Sequence, residues 1–523
     1  MKSNKSKRRA GVNSKRWFRK LLERRLLIIL MLFLQVIFLA YLVITGSQAF
    51  RIVNLILNAV SIFAALYIVS KKDKGAYKLM WIILILVMPL FGGLLYLMSR
   101  FQASTILFSD SVQTAKKKAA PLYSLPGDGL AQAEKQIPDE ITQIGYLQNY
   151  AGYPVYTGTT AKYLTPGERK WEALLKALEK AEKYIFLEYF IVKEGVMWDS
   201  ILEILKRKAA EGVLVRLIYD DMGCFFLLPR DYPKQLKKYG IECAIFNPFR
   251  PFLVSEQNNR DHRKIVSIDG KTAFTGGINL SDEYINAVNI HGHWKDASIQ
   301  LEGKAAWSFT LMFLEAWAHC TKTEEDFLQY YPWKNTPLPT AEDGFVQPYA
   351  DSPMDSEHVG EHVYLQMISH AKKYIYINTP YLILEDSMIS ALTLAAKSGV
   401  DVRIVTPHRG DKWWVHMTTR SYYRELIKAG VKIYEYTNGF IHSKTFVSDD
   451  RTAAVGTINL DYRSLYLHFE CGVRLSDSKA VMEVKEDFLE TLKICTPITE
   501  KDCRYNLVIR VMQNILRLLA PLM

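Results

Sequence analysis

A short pattern of charged and polar residues occurs twice in this 523-residue chain with unchanged internal spacing. The first copy is His262-Arg-Lys264-Ile-Val-Ser-Ile-Asp269, followed by Gly276-Gly277-Ile-Asn279, and the second is His442-Ser-Lys444-Thr-Phe-Val-Ser-Asp449, followed by Gly456-Thr457-Ile-Asn459. In each copy the lysine follows the histidine by two residues, the aspartate follows the lysine by five, and the asparagine follows the histidine by seventeen. A match at five positions is hard to assign to chance. We therefore expect two related units, each supplying half of one site.

Each copy has the pattern of a buried strand with polar residues at its start. His262 and Lys264 are two positions apart, a spacing that directs side chains to the same face of a strand, and the run after Lys264 is mostly apolar. Such a run is typical of a strand inside a sheet. Asp269 and Asp449 fall where each strand should turn, and the glycine that follows lets a second backbone approach before the asparagine. An imidazole and an ammonium group should therefore share one surface.

Together the two copies supply a set of groups that suits a phosphate. The set comprises two imidazoles, two ammonium groups and two amides, which belong to His262, His442, Lys264, Lys444, Asn279 and Asn459. Cations and amides bind phosphoryl oxygens, and imidazoles act as nucleophiles and as acid–base groups. One imidazole can form a phosphohistidine while the other moves protons. This chemistry requires no metal ion and no other cofactor, but it requires both histidines at one phosphorus. A lone His-x-Lys would instead be a solvated pair.

The repeated pattern resembles the signature of the phospholipase D superfamily, His-x-Lys-x4-Asp-x6-Gly-(Gly/Ser/Thr)-x-Asn. Within it the chain is similar to the bacterial cardiolipin synthases, from about residue 50 to the last residue. Beyond the two copies, the likeness includes residues 259–264, 294–296, 379–381, 399–403, 459–464 and 517–522. It implies an α/β fold: duplicated phospholipase D-like α-β-α sandwich units form one catalytic body, preceded by N-terminal transmembrane helices.

The resemblance also implies roles for individual residues. The catalytic set is His262, Lys264, Asp269, His442, Lys444 and Asp449. Asn279 and Asn459 are implied to support the phosphate, and Asp296 and Glu470 to orient the histidines. The precedent favours His262 as the nucleophile, although the residues themselves leave that choice open.

Several of these residues have alternative interpretations. At strand ends, Asp269 and Asp449 suit bracing a loop better than touching phosphate, and Asp296 and Glu470 could be ordinary surface acids. Three further histidines near the motifs either bind substrate or have packing roles: His291, His293 and His468.

The resemblance implies a membrane-bound phosphatidyl transferase. Phosphatidylglycerol would donate its phosphatidyl group to a histidine, glycerol would leave, and a second phosphatidylglycerol would accept the group to give cardiolipin. The expected partners are phosphatidylglycerol and an anionic phospholipid bilayer, with no nucleic acid. The site chemistry alone also fits a phospholipase D, a synthase with another acceptor, or a membrane-tethered nuclease. A non-catalytic lipid-binding protein is disfavoured because both His–Lys pairs are intact.

The positive charge of the chain is concentrated at its start. The net charge is +12, and residues 1–25 hold eleven Lys and Arg against one acid, so this tail supplies +10 and the remainder about +2. A basic segment next to an apolar run is a juxtamembrane feature and implies no groove for nucleic acid.

Three apolar runs follow the tail, at residues 26–44, 52–70 and 79–98. Each has about the 20 residues that a helix needs to cross a bilayer, so we predict three spans in a bacterial cytoplasmic membrane. A signal peptide competes for the first run, and a hairpin of two spans is the alternative to three. With three spans the positive-inside rule places the tail in the cytoplasm and the catalytic region on the outer face.

The rest of the chain alternates predicted strands and helices, and the order recurs. Residues 181–187 resemble 371–377, and 212–217 resemble 399–404. We predict a linker at 101–145, a first domain at 146–320, an inter-domain linker at 321–358, a second domain at 359–500 and a C-terminal amphipathic helix at 501–523. That helix either packs on the domain or lies at the membrane interface. The six cysteines show no metal-binding spacing and are expected to be free thiols, mostly buried.

Overall fold

A computed structural model describes residues 33, 36–37, 40–41, 48–100, 103–127, 129–249, 255–341, 343–355 and 357–523. The chain forms two compact units. Residues 1–108 and 249–258 make the first, and residues 109–248 and 259–523 make the second. The basic tail and most of the first predicted span lie outside the described residues.

The first unit contains three described helices and one short 3₁₀ turn: Gln48–Val69, Gly75–Val87, Pro89–Arg100 and Ser255–Asn258. The prediction of one continuous helix over residues 79–98 is wrong. The helix Gly75–Val87 ends before Met88 because Pro89 has no N–H to donate and disfavours helical geometry in the residue before it. Ile68, Ile85 and Tyr96 form a small core. None of the helices in the described ranges is both long and apolar enough to cross a membrane.

The second unit is built on two large mixed sheets. Its strands are β1 Thr159–Leu164, β2 Tyr184–Tyr189, β3 Leu214–Asp220, β4 Glu242–Phe246, β5 Lys264–Ile268, β6 Thr272–Gly276, β7 His293–Lys295, β8 Ser298–Gly303, β9 Phe345–Asp351, β10 Tyr374–Asn378, β11 Asp401–Pro407, β12 Lys432–Tyr436, β13 Gly439–Ile441, β14 Thr445–Ser448, β15 Thr452–Gly456, β16 Glu470–Ser476 and β17 Cys495–Ile498. The first sheet has the order β1-β8-β6-β5-β2-β3-β4, and the second has β9-β16-β15-β14-β10-β11-β12-β17. Read in these directions, the first seven positions correspond one to one. The expected mixed α/β architecture with two sheets is thus confirmed.

Helices cover these sheets and join the two halves. They are Ala103–Ala119, Leu130–Gln136, Ile141–Gly145, Gly167–Glu179, Val196–Ala210, Tyr232–Lys237, Ala306–Thr321, Val359–His370, Asp386–Lys397, Trp413–Lys428, Tyr462–Tyr466, Lys479–Leu492 and Leu507–Leu518. The helix Ala306–Thr321 is almost wholly buried, and it contacts β5 of the first sheet and β9 of the second. The six cysteines are free, three of them buried and three partly exposed.

Both predicted linkers contain regular structure. Residues 101–145 include three of the helices above, and Lys116 and Tyr123 of this stretch bind Asp355 and Glu315. Residues 321–358 include β9, which pairs antiparallel with β16 as the last strand of its sheet. Pro348 lies inside β9, where the edge position tolerates a residue that cannot donate a hydrogen bond. The proline was therefore a misleading signal for a linker.

Asp269 and Asp449 brace equivalent loops in the two sheets. Both have a left-handed backbone, with φ of 52° and 56°, in the turns after β5 and β14. The carboxylate of Asp269 accepts the backbone N–H groups of residues 182–184 at 2.8 Å, and that of Asp449 accepts those of residues 372–374 at 2.6–2.9 Å. The prediction counted both in the catalytic set. In the structure they lie at the opposite end of the strand from the histidine, so their contacts are structural.

We expect Asp269→Ala to lower the free energy of unfolding by about 2–4 kcal/mol, because three backbone donors lose a charged acceptor. Urea unfolding followed by tryptophan fluorescence measures the change. Glu203→Ala is the control, since that exposed acid makes only a surface ion pair with Lys206. Equal unfolding midpoints for the two variants would contradict a bracing role.

Candidate active site

The two histidines of the repeated pattern are each held by the backbone of the other half. The short strands β7 and β13, one from each half, pair in parallel, and the backbone N–H of His442 donates to Lys295 O at 2.7 Å. In the equivalent place Asp261 bridges to Phe469, and the N–H of His262 donates to Phe469 O at 2.9 Å. The joint between the halves thus positions both imidazoles.

The acids that contact these imidazoles are exchanged between the halves. His262 Nδ1 is hydrogen-bonded to Glu470 Oε1 at 2.8 Å, and the other oxygen of that carboxylate is 3.1 Å away. His442 Nδ1 is hydrogen-bonded to Asp296 Oδ2 at 2.7 Å. The first half therefore provides the acid for the histidine of the second half, and the second half provides the acid for the histidine of the first. We call His262–Glu470 and His442–Asp296 the exchanged pairs.

Burial controls the charge of the exchanged pairs. Both carboxylates are fully buried, and this raises the pKa of Glu470 to about 8 and that of Asp296 to about 7. Burial also lowers the pKa of both imidazoles well below the usual value, and the nearby lysines Lys264 and Lys444 lower it further. Each imidazole and its carboxyl can therefore share one proton near neutral pH, which suits nucleophilic and acid–base chemistry.

The two lysines lie within the same cluster as the histidines. Lys264 Nζ donates to the backbone oxygen of His262 at 2.5 Å, and Lys444 Nζ donates to the backbone oxygen of His442. Lys444 Nζ is also 2.9 Å from Nδ1 and 3.1 Å from Nε2 of the His442 ring. Burial lowers the pKa of Lys264 to about 8 and that of Lys444 to about 7. Each lysine lowers the pKa of both imidazoles, so the halves form one electrostatic cluster.

The two asparagines that were predicted to support the phosphate differ in their surroundings. Asn279 is engaged within the protein, because its Oδ1 accepts the N–H of Ile191 at 3.1 Å and its Nδ2 donates to Tyr284 OH at 2.7 Å. In the part of the chain that the structure describes, the Oδ1 of Asn459 is buried and has no hydrogen-bond partner. Asn279 therefore positions Tyr284, whereas Asn459 retains hydrogen-bonding capacity for a ligand.

Aromatic residues that the motif does not include surround the histidines. Phe190 lies 5.1 Å from the His262 ring, and Tyr284 and Trp294 lie 5.5 and 5.4 Å from the His442 ring, measured between centroids. Motif spacing could not reveal Phe190 or Tyr284, which reach the site through tertiary packing. His468 does reach the site, with its ring 5.6 Å from that of His262. His293 instead contacts Tyr436 OH at 2.8 Å.

The cluster is better suited to an anion than to a metal ion. Among the described residues, one group of potential ligands has its donor atoms within 4.8 Å of one another: His262, His468 and Glu470. Lys264 acts electrostatically on all three of these side chains. A cation there would meet the positive charge of Lys264, whereas a phosphodiester would be attracted by it.

Two protein families match parts of the sequence. The one described as "Cardiolipin synthase, PLD-like domain" matches residues 174–289 and 364–492, and "Phospholipase_D-nuclease N-terminal" matches residues 59–100. The two segments of the first match each contain one copy of the repeated pattern. The second match covers the helical stretch of the first unit.

Similar proteins extend along most of the chain. A cardiolipin synthase of Halalkalibacterium halodurans is 34% identical over 477 residues, which is 90% of this chain and 93% of that protein. "Cardiolipin synthase 2" of Bacillus anthracis is 38% identical over 367 residues, 70% of this chain and 71% of that protein. An uncharacterized protein of Streptococcus mutans is 41% identical over 461 residues, 88% and 99% of the two chains.

Among solved structures, phosphatidylserine synthase of Haemophilus influenzae has a similar fold. Its TM-score is 0.55 at 12% identity, over 71% of this chain and 97% of that one.

Proposed function

The chain belongs to the cardiolipin synthase family of the phospholipase D superfamily, and we propose that it joins two phosphatidylglycerol molecules through a phosphohistidine, releasing glycerol. The chain is an enzyme of phosphatidyl transfer that produces cardiolipin. The observation that carries the proposed mechanism is the exchange of acids: two imidazoles, each with a buried carboxylate from the other half, share one cationic cluster.

In the first step His262 Nε2 attacks phosphorus and the bond from phosphorus to the glycerol oxygen breaks. Two contacts support this assignment. With Nδ1–H donating to Glu470, the lone pair of the His262 ring is at Nε2, and Nε2 has no hydrogen-bond partner among the described residues. The Nε2 of His442, by contrast, is 3.1 Å from the ammonium group of Lys444. His262 is the better nucleophile, because its Nε2 lone pair is not engaged by an ammonium group.

The departing glycerol takes its proton from the pair His442–Asp296. Burial raises the pKa of Asp296 to about 7, so this pair can hold an extra proton near neutral pH and act as one acid. Lys264, Lys444 and the Nδ2–H groups of Asn459 stabilise the charge that builds on the phosphoryl oxygens.

In the second step a hydroxyl of another phosphatidylglycerol loses its proton to His442 and attacks phosphorus. The bond from phosphorus to His262 Nε2 breaks and cardiolipin forms. Water at the same position would instead give phosphatidic acid, so acceptor binding determines which product is made.

A product assay tests the proposed function. We expect the purified full-length chain to convert labelled phosphatidylglycerol in mixed micelles into equal amounts of cardiolipin and glycerol. Thin-layer chromatography and a glycerol assay measure the two products. A variant with both His262→Ala and His442→Ala is the background control. Phosphatidic acid as the sole lipid product would instead support a phospholipase D, and efficient DNA cleavage would support a nuclease.

The N-terminal helices are proposed to anchor the enzyme as a multi-pass segment of a bacterial cytoplasmic membrane. Membrane association follows from the family, whose substrates are phospholipids. Large apolar side chains of the helix Gln48–Val69 support the anchor, since Leu55 is 70% exposed and Phe63 is 72% exposed. The first predicted span and the basic tail would extend this anchor.

The C-terminal helix is proposed to rest on the bilayer interface. Helix Leu507–Leu518 turns Gln513 inward, while Val508 is 69% exposed and Ile515 is 53% exposed. Its exposed apolar residues follow helical spacing: Val508, Val511, Met512, Ile515 and Leu519. A packing helix would bury this face. Residues 499–523 also carry four basic residues against two acids, which suits anionic lipid.

We expect the double variant Val511→Glu/Ile515→Glu to lower turnover on phosphatidylglycerol vesicles about tenfold, because buried charge at the interface opposes docking. Turnover on short-chain phosphatidylglycerol in detergent micelles should stay within about twofold. The control is Asn514→Glu, which adds negative charge at an exposed position of the same helix. An equal loss on vesicles and micelles would show that the helix serves only the fold.

A further inference from the structure

Trp294 and His468 occupy equivalent positions in the two halves. Trp294 precedes Asp296 by two residues, and His468 precedes Glu470 by two residues. The residue between ring and acid holds the opposing histidine in both cases, because Lys295 O and Phe469 O accept the N–H groups of His442 and His262. Residues two apart on an extended chain face the same side. Each ring therefore lies beside the same imidazole that the acid two residues later contacts.

The two rings pack beside the reacting imidazoles. The Trp294 ring is 5.4 Å from the His442 ring, and the His468 ring is 5.6 Å from the His262 ring. Tyr284 lies 4.9 Å from Trp294, between centroids. Tyr284 and Trp294 together form an aromatic wall beside His442.

Both residues carry buried polar atoms without partners. Trp294 is 9% exposed and its Nε1 has no hydrogen-bond partner in the described part of the chain. The side chain of His468 is 11% exposed, neither ring nitrogen has a partner there, and Nδ1 is 3.9 Å from the nearest oxygen of Glu470. A buried polar group without a partner destabilises the fold. Two residues with such groups stand at matching positions of one site.

Two other buried tryptophans of the same unit do have partners for Nε1. Trp198 donates to Tyr232 OH at 2.5 Å, and Trp307 donates to the backbone oxygen of Leu122 at 2.8 Å. The unpartnered indole of Trp294 therefore stands apart from these two. Its position beside His442 is what distinguishes it.

We propose that Trp294 and His468 are substrate-binding donors on opposite sides of the phosphorus. Trp294 Nε1–H donates to a hydroxyl of the glycerol head group, and His468 donates to an oxygen of the phosphatidyl group held at His262. The inference rests on the proposed function with His262 as nucleophile. In an in-line displacement the nucleophile and the leaving oxygen lie on opposite sides of phosphorus, so the alcohol lies on the side of His442 and Trp294. The departing glycerol and the incoming phosphatidylglycerol share that side.

Trp294 thereby favours a polyol acceptor over water. The aromatic wall contacts the CH groups of glycerol, and the indole N–H binds a hydroxyl that water cannot present in the same place. A site built to hydrogen-bond a substrate hydroxyl discriminates strongly against a molecule that fails to make the bond.

The variant Trp294→Phe tests this role, since it keeps an aromatic ring and removes the N–H. We expect the KM for added glycerol as acceptor to rise about tenfold, and the ratio of cardiolipin to phosphatidic acid to fall about tenfold. The burst from phosphatidyl-p-nitrophenol, which has no glycerol head group to bind, should keep its wild-type size, and it also reports that the variant is folded. The control is Trp307→Phe, which removes an indole N–H away from the site and should leave both values unchanged.

His468 is tested through the donor lipid. His468→Phe should raise the KM for phosphatidyl-p-nitrophenol several-fold without changing the ratio of cardiolipin to phosphatidic acid, and His468→Asn should restore part of the loss because the amide can donate. Trp294→Phe with unchanged acceptor KM and product ratio would overturn the assignment of Trp294. Wild-type protein that makes no cardiolipin would overturn the proposed function instead, so the two failures are distinguishable.

Discussion

Replacing His262 with alanine should lower cardiolipin formation by at least about 10⁴-fold, because the group that forms the covalent bond to phosphorus is lost. The nucleophile can be separated from the acid–base histidine with phosphatidyl-p-nitrophenol, whose leaving group needs no proton. On this substrate His442→Ala should release about one p-nitrophenol per site and then stop, while His262→Ala should release none. Stopped-flow absorbance measures the burst, and acid-labile, base-stable labelling of the protein identifies the phosphohistidine.

The same experiment can reverse the assignment. A burst in His262→Ala and none in His442→Ala would make His442 the nucleophile. His370→Ala is the control, because this exposed histidine lies on the helix Val359–His370, outside the repeated pattern.

The exchanged pairs predict a second large effect. Glu470→Gln should lower kcat by about 10³–10⁴-fold, because the amide can neither fix the useful tautomer of His262 nor balance its positive charge. Asp296→Asn should lower overall cardiolipin formation by a similar factor. On phosphatidyl-p-nitrophenol the two should differ: Glu470→Gln slows the burst itself, whereas Asp296→Asn leaves the burst rate close to wild type.

This difference tests the exchange directly. If each acid served the histidine of its own half, Asp296→Asn would slow the burst and Glu470→Gln would spare it. Glu425→Gln removes an exposed acid from the helix Trp413–Lys428 and is the matched control. Double variants add a further check, since His262→Ala and Glu470→Gln should be strongly non-additive.

The sequence was sufficient to predict the duplicated α/β body. Identical spacing in two copies, together with apolar runs after each lysine, predicted two equivalent strands, and these are β5 and β14. The two strands follow from local periodicity, which acts over a few residues and can be read directly. That both histidines meet at one phosphorus stays a prediction from the repeat.

Features that depend on packing between distant segments were not predictable. Nothing in the spacing tells that Asp296 contacts His442 or that Asn279 is bound by Ile191 and Tyr284. The buried edge strand β9 was missed because Pro348 and the surrounding polar residues indicated a linker. The break at Met88, in contrast, follows from Pro89, which interrupts the apolar run at residues 79–98.

The exchange of acids has a consequence for the origin of the chain. A precursor with a single copy of the pattern could not complete a histidine–carboxylate pair within one polypeptide, because the acid that contacts each imidazole comes from the other copy. A chain with one copy would therefore complete its site only as a twofold-symmetric homodimer. In the present chain the two copies can differ, as Trp294 and His468 do at equivalent positions.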